Sequence, residues 1–103
     1  MVARGEIWWY EPPDAKRRPF LVLTRDEAIS VLNQLVAVPA TTVIRDIPTE
    51  IPLDEADGMP VPCVLSFDNI TVVRRALLTE RITRLDPGRH GEICRALGMA
   101  VAC

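Results

Sequence analysis

Histidine and lysine are nearly missing from this chain: among its 103 residues stand one histidine, His90, and one lysine, Lys16. A single histidine rules out a two-histidine acid–base site. It also leaves a zinc centre without its usual imidazole partners. The three cysteines, Cys63, Cys94 and Cys103, are odd in number, and no pair has metal-ligand spacing, so three free thiols in a reducing compartment are expected. No apolar run approaches the roughly 20 residues that span a bilayer. The opening Met1-Val2-Ala3-Arg4-Gly5-Glu6 lacks the charged-then-apolar pattern of an export signal, so a cytoplasmic protein is expected. Linkers, repeats and low-complexity stretches are absent too. The expectation is one domain, residues 1–103, with no metal and no cofactor.

What is present is an apolar share of 49%, enough for a globular core at this length. The net charge is −2, which taken alone argues against a nucleic-acid binder. The distribution differs from the total. Of the 12 basic residues every one except Lys16 is an arginine, a planar fork suited to phosphate. Lys16-Arg17-Arg18 and Arg74-Arg75 are basic clusters, whereas Asp46, Glu50, Asp54, Glu55 and Asp57 lie in a stretch with no base. A chain of low net charge can still present one basic face. If that face binds RNA, the acidic stretch should lie away from it; otherwise it is a soluble edge.

Nine prolines punctuate short apolar runs, the pattern of a small β-rich barrel. Glu6–Tyr10, Pro19–Thr24 and Leu35–Thr41 read as strands, with Pro39 implying an irregularity or an exposed edge in the third. Asp26 suits the N-cap of a short helix over 27–32. Thr49–Leu53 reads as an edge strand, Asp57-Gly58 as a turn, and Pro62–Phe67 and Asn69–Val73 as two further β runs. A helical turn is expected near Arg74–Leu77, and a strand with one wet face over Arg81–Leu85. Asp86 and Pro87 give the clearest helix start, with Ile93, Leu97 and Val101 at helical spacing behind it. The fold class is mainly β with α: about six short, mostly antiparallel strands and a C-terminal helix.

Two strand ends carry chemistry. Arg18 stands just before the most apolar strand, and Thr41-Thr42 stand at the end of another. A guanidinium and a hydroxyl can hold a phosphodiester and stabilise the charge that develops when a ribose 2′-hydroxyl attacks phosphorus. Such a reaction requires neither metal nor enzyme nucleophile. Arginine and threonine are common, however, and residue type alone equally describes a loop arginine and a strand terminus.

Five segments in order sharpen the choice. Arg4-Gly5-Glu6-Ile7-Trp8, Arg18-Pro19-Phe20-Leu21-Val22-Leu23, Val38-Pro39-Ala40-Thr41-Thr42, the run from Pro62 to Ile70 and the run from Leu78 to Asp86 together resemble the MazF/PemK-type toxins of bacterial toxin–antitoxin pairs. The resemblance spans nearly the whole chain. It implies an SH3-like barrel of the CcdB/PemK kind, a homodimer and an endoribonuclease. The implied activity cuts single-stranded RNA at short motifs, leaving 2′,3′-cyclic phosphate and 5′-hydroxyl ends, and is neutralised by a cognate antitoxin protein. It assigns catalysis to Arg18 and Thr41. Arg17, Arg25, Thr42, Arg45, Asp68 and Asn69 are candidate RNA contacts, with Arg25 and Arg45 taken to follow their strands at the same ends as the catalytic pair. The chain departs from the family in the short loop Pro12–Arg17, where a Gly-Ser-Glu-Gln-like stretch is common, and at Asn69, where Gln is familiar. Both departures bear on the cleavage motif more than on the reaction.

Trp8 and Trp9 face opposite sides of a strand, so one belongs to the core and the other to a surface or interface. Arg74-Arg75 either line the RNA groove or pair with acids of a partner chain, and His90 is expected on the exposed surface. Two other functions share the fold. A gyrase poison of this barrel type needs a tail ending Trp-Gly-Ile, whereas this chain ends Gly-Met-Ala-Val-Ala-Cys. A binding module without catalysis would not need Arg18 and Thr41 together.

Overall fold

A computed structural model describes residues 1–102; Cys103, one of the three expected free thiols, lies outside the described residues. Seven strands are present among them: β1 (Glu6–Tyr10), β2 (Arg18–Val22), β3 (Gln34–Thr41), β4 (Glu50–Leu53), β5 (Cys63–Ser66), β6 (Thr71–Arg74) and β7 (Leu78–Arg84). A one-turn helix α1 (Asp26–Ile29) joins β2 to β3, and α2 (His90–Ala100) follows β7. All pairings are antiparallel, in the order β4-β5-β3-β2-β1-β7, with β6 also on β3.

β3 organises the sheet. One edge pairs with β2 through Phe20↔Pro39, Leu21↔Val38 and Val22↔Ala37. Its other edge changes partner, from β6 (Ala37↔Thr71) to β5 (Ala40↔Leu65). Val36 N–H and C=O both point towards the β2 side, donating to Thr24 Oγ1 and accepting from Leu23 N–H. By alternation, the nitrogen of Pro39 points to the outer edge. Its missing N–H therefore falls in the gap between the two outer partners, which is the irregularity that a proline in a central strand requires. The β4–β5 connection then meets the opposite edge of the sheet: Thr83 Oγ1 donates to Asp57 O, and Gly58, at φ +92°, lies so close to Thr83 that a Cβ would clash with the hydroxyl. This contact closes the sheet towards a barrel.

Two apolar clusters fill the two faces. Ile7, Leu21, Val38, Leu65 and Phe67 are fully buried and pack with Ile93 and Ala96 of α2. Phe20, Val22, Leu35, Ala37 and Val73 form the second, against Ile29, Trp8 and Tyr10. The helix-start expectation at Asp86-Pro87 is met in a modified form. Asp86 caps a 3-10 turn, Pro87–Arg89, that leads into α2, and Val101 lies past the helix end. The Asp26 expectation is corrected: Asp26 is the first residue of α1, not its cap, and its carboxylate accepts from Arg4 N–H instead. Among the described residues no helix is long and apolar enough to cross a membrane.

Glu6 is, with Glu50, one of two acids buried among the described residues. Its Oε1 accepts from Ala3 N–H and Trp8 Nε1–H, and its Oε2 pairs with Arg81 at 3.2 Å. Burial pushes the carboxyl towards protonation. The hydrogen bonds from Trp8, Ala3 and Arg81, with the Arg81 charge, outweigh that, and the group titrates below its ordinary value of 4.5. A depressed carboxylate contributes stability above its unfolded value and loses it as the pH falls through the folded one. Glu6→Ala is therefore expected to cost roughly 1–3 kcal/mol at neutral pH by orphaning two donors. The gap between parent and variant should narrow as the pH drops below 4.5. Urea unfolding of both proteins across that range measures it; an unchanged gap would show that the Glu6 carboxylate is not the group involved.

Candidate functional site

β2 begins at Arg18 and β3 ends at Thr41, so antiparallel pairing puts both termini at one end of the sheet. Carrying the Phe20↔Pro39 register two residues further sets Arg18 opposite Thr41. Both side chains then lie on the same face, with Tyr10, the β1 partner of Arg18. Arg18 is exposed and has no hydrogen-bond or ion-pair partner among the described residues. Thr41 is half-buried, and its Oγ1 accepts from Val43 N–H at 3.1 Å. That bond occupies a lone pair and leaves the hydroxyl proton free to donate.

A cleft of about 400 Å³ opens beside Arg18, lined by Tyr10, Pro12, Ala15, Lys16, Arg18 and Phe20. Tyr10 and Phe20 meet edge to face at 5.3 Å and form its apolar wall, and the Tyr10 hydroxyl accepts from Arg74 N–H. Lys16 and Arg18 make the cleft cationic. Sequence reasoning saw Lys16 only as part of a charge cluster and did not connect Tyr10 or Phe20 with the site; the β1–β2 pairing, not residue type, brings them there. A cavity of similar size, about 410 Å³, lies at the opposite end of β2, between Arg4, Leu23, Arg84 and His90. It holds neither Arg18 nor Thr41, and its Asp26 and Asp86 balance its two arginines.

The remaining candidates divide. Thr42 and Arg45 lie in the exposed loop that follows Thr41, at the end of the sheet where Arg18 stands. Arg17 flanks Arg18, but its guanidinium stacks 4.1 Å above the Trp9 ring. Trp9 joins neither apolar cluster, while Trp8 packs on the second, as the opposite-face argument requires. Arg25 is not brought to the site. It follows the far end of β2, and four residue steps of strand alone separate the two ends by roughly 13 Å. The expectation that it shares the catalytic end is corrected, because β2 runs away from Arg18. Asp68 and Asn69 occupy the 3-10 turn between β5 and β6, on the side of β3 away from β2. Asp68 accepts from the Thr49 hydroxyl at 2.6 Å and Asn69 donates to Ser66 Oγ at 2.8 Å. Arg75 spends its guanidinium on Ile29 O at 2.6 Å, inside the fold and not in the groove. His90 is exposed as expected, 3.4 Å from Cys94 Sγ.

The acidic stretch carries β4, an edge strand of the sheet as expected, but several of its acids are committed within the fold. Glu50 accepts two loop amides, Asp54 and Asp57 cap a 3-10 turn reciprocally, and Asp57 pairs with Arg89 at 2.6 Å. Arg89 also reaches Glu92 and Pro52 O, tying α2 to β4. Hydrogen bonding to Glu92, against the opposing effect of burial, pushes its pKa up further. No group of three or more His, Cys, Asp or Glu that could hold a metal occurs among the described residues.

Residues 3–101 match the family model described as PemK-like, MazF-like toxin of type II toxin–antitoxin system. The chain is 40% identical over 102 residues to the probable endoribonuclease MazF5 of Mycobacterium tuberculosis (strain ATCC 25618 / H37Rv), covering 98% of this chain and 94% of that protein. The solved Mycobacterium tuberculosis toxin MazF-mt6 superposes with a TM-score of 0.85 at 30% identity, over 92% of this chain and 94% of its own. A mycobacterial endoribonuclease in complex with its cognate antitoxin gives 0.86 over 98% and 95%; at 23% identity it speaks to the fold alone.

The placement of the cations predicts how the chain meets a polyanion. Arg18→Ala and Lys16→Ala should each elute from a heparin column at lower salt than the parent. Arg25→Ala, at the far end of β2, should leave the affinity of the cleft for a short single-stranded oligonucleotide unchanged in a fluorescence titration. Equal weakening by all three would mean that the charge acts diffusely and not at the cleft.

Proposed function

Because the chain belongs to the PemK-like, MazF-like toxins of type II toxin–antitoxin systems, we propose that it is an endoribonuclease that cuts single-stranded RNA at short sequence motifs and is held in check by a cognate antitoxin. The observation that carries this reading is the cationic cleft beside Arg18, at the end of the sheet where β3 runs out at Thr41. The relatives bearing the name endoribonuclease match across nearly the whole chain, which supports the same activity here.

The reaction follows from the two side chains. The 2′-oxygen of the RNA attacks the adjacent phosphorus as its proton leaves. The P–O5′ bond breaks, the 5′-oxygen takes up a proton, and a 2′,3′-cyclic phosphate and a 5′-hydroxyl remain. The nucleophile belongs to the substrate, so the protein has to position the phosphate and stabilise the extra negative charge. Arg18 supplies a permanent cation with a fork of donors. Thr41 supplies a hydroxyl whose oxygen already accepts from Val43 N–H, which leaves its proton free to donate to a nonbridging oxygen. A guanidinium offers donors and no acceptor, so Arg18 is the phosphorane stabiliser and not the proton acceptor.

Thr42, Arg45 and Lys16 stand where RNA entering this cleft would pass. The proposed active form is a cytoplasmic homodimer. The exposed pair Val36 and Val72, adjacent across β3 and β6, supports a surface that a second subunit or the antitoxin covers.

Purified protein incubated with a long, weakly structured RNA in excess EDTA should cut recurrently at one motif and leave 5′-hydroxyl ends. Arg18→Ala and Thr41→Ala, folded by circular dichroism, should each lose roughly 100-fold or more in rate. Variants that cut as fast as the parent would remove the site assignment. A parent that cuts no RNA offered would leave a binding module in its place. Sedimentation at micromolar protein should give twice the 11.5 kDa chain mass, and a monomer would refute the dimer.

A further inference from the structure

The loop between β3 and β4, residues 42–49, starts at Thr41 and has no regular structure of its own, yet it is laced at every stage. Val43 N–H donates to Thr41 Oγ1 at 3.1 Å. Arg45 N–H and Asp46 N–H both donate to Glu50 Oε1 at 3.0 Å. Glu50 N–H returns to Ile47 O at 3.0 Å, Phe67 N–H donates to Thr49 O, and the Thr49 hydroxyl donates to Asp68. Asp46 sits at φ +56°, in the left-handed region that Asp visits more readily than most side chains but still sparsely. Glu50, a residue only 9% exposed, holds the chain there by collecting the amides on both sides of Arg45.

The chemistry of this arrangement is unusual for a carboxylate. Oε1 takes two backbone donors, and Oε2 is buried without a partner among the described residues. A buried carboxylate with an idle oxygen is costly. The function read from its contacts is to fix a loop, and the fixed loop has one direct consequence at the site: it places Val43 N–H against the hydroxyl of Thr41. We infer that Glu50 is a positioning residue for Thr41, acting through the 42–49 loop to hold the threonine hydroxyl in place at the end of the sheet where Arg18 stands. It touches no reacting atom. This inference rests on the ribonuclease reading above for its kinetic consequence, but not for its structural one.

Two variants separate the roles of Glu50. Glu50→Gln keeps an acceptor oxygen in place for both amides; Glu50→Ala removes it. For the inference to hold, Glu50→Ala should lower kcat roughly ten- to 100-fold with KM changed less, as a misplaced group does. Glu50→Gln should recover most of that rate. The double variant Glu50→Ala, Thr41→Ala should cut no more slowly than Thr41→Ala alone, since the first change acts only through the second residue. A purely structural defect would instead slow the Thr41→Ala protein further. In parallel, amide hydrogen exchange of Arg45 and Asp46 should be slow in the parent and fast in Glu50→Ala. Losses that add in the double variant, or an alanine protein that cuts like the parent, overturn the inference. Should the parent cut no RNA, the ribonuclease reading fails by itself, and the exchange result still decides: unchanged protection of Arg45 and Asp46 overturns the role of Glu50, and lost protection upholds it as the anchor of the loop.

Discussion

The antiparallel pairing of β2 with β3 is the constraint on which the rest of the molecule depends. Leu21, Val22, Ala37 and Val38 are wholly buried at its centre, two towards each apolar cluster. Because side chains alternate, a slip of one residue in either strand would exchange its members of the two apolar clusters, sending Leu21 or Val38 to the face that Val22 and Ala37 fill, and neither closely packed face accommodates the other's side chains. The register is thus fixed by packing, and the packing in turn fixes two polar groups that contribute nothing to it. Arg18 and Thr41 stand at the same end of the sheet, each two residues past the last β2–β3 pair, Phe20↔Pro39. Pro39 belongs to the same device. It costs nothing on the outer edge of β3 because it stands where that edge changes partner between β6 and β5.

Charge is spent with equal economy, which explains how a chain of net charge −2 presents a cationic cleft. Arg81, Arg89, Arg75 and Arg17 are committed to Glu6, to Asp57 and Glu92, to Ile29 O and to the Trp9 ring. Glu6, Glu50, Asp54, Asp57 and Asp68 are committed to backbone amides or side-chain donors. Among the described residues Arg18 has no such commitment. What a phosphate would meet is the local surplus left after these pairings, and a whole-chain total cannot express that.

Much of this was legible in the sequence. Three apolar, β-branched or aromatic runs announced β1, β2 and β3, and the Arg-Pro and Thr-Thr strings marked the ends where the site lies. The barrel expected with about six strands has seven. β7 starts at Leu78 and not near Arg81, because Leu78 and Glu80 pair with Tyr10 and Trp9, a tertiary pairing that local alternation does not carry. α1 ends at Ile29 and not at Leu32, a single turn that buries Ala28 and Ile29. Arg25 was set at the wrong end because residue order says that it follows a strand but not which way that strand runs past Thr41. The acids between 46 and 57 were legible only as a stretch that lies away from a cationic face or forms a soluble edge, since nothing in their spacing shows that Glu50 turns inward to collect backbone amides.

The site that results is asymmetric in what it offers. Arg18 and Thr41 together present one permanent positive charge and several donor hydrogens, and the Thr41 oxygen already receives one proton donor from the backbone. Neither group is a strong acceptor at neutral pH. On the ribonuclease reading, such a pair favours the state in which negative charge has accumulated on the phosphoryl oxygens over the state in which a proton is being drawn from the 2′-hydroxyl. The proton then passes to solvent or to the phosphate itself, and the protein contributes by fixing where the charge appears. That places the whole demand on preorganisation: a donor that is misdirected by a bond rotation loses its value, and a chain with so little acid–base equipment has nothing to compensate. A rigid register beneath Arg18 and a loop hydrogen-bonded along its length beside Thr41 are what such chemistry requires of a fold this small.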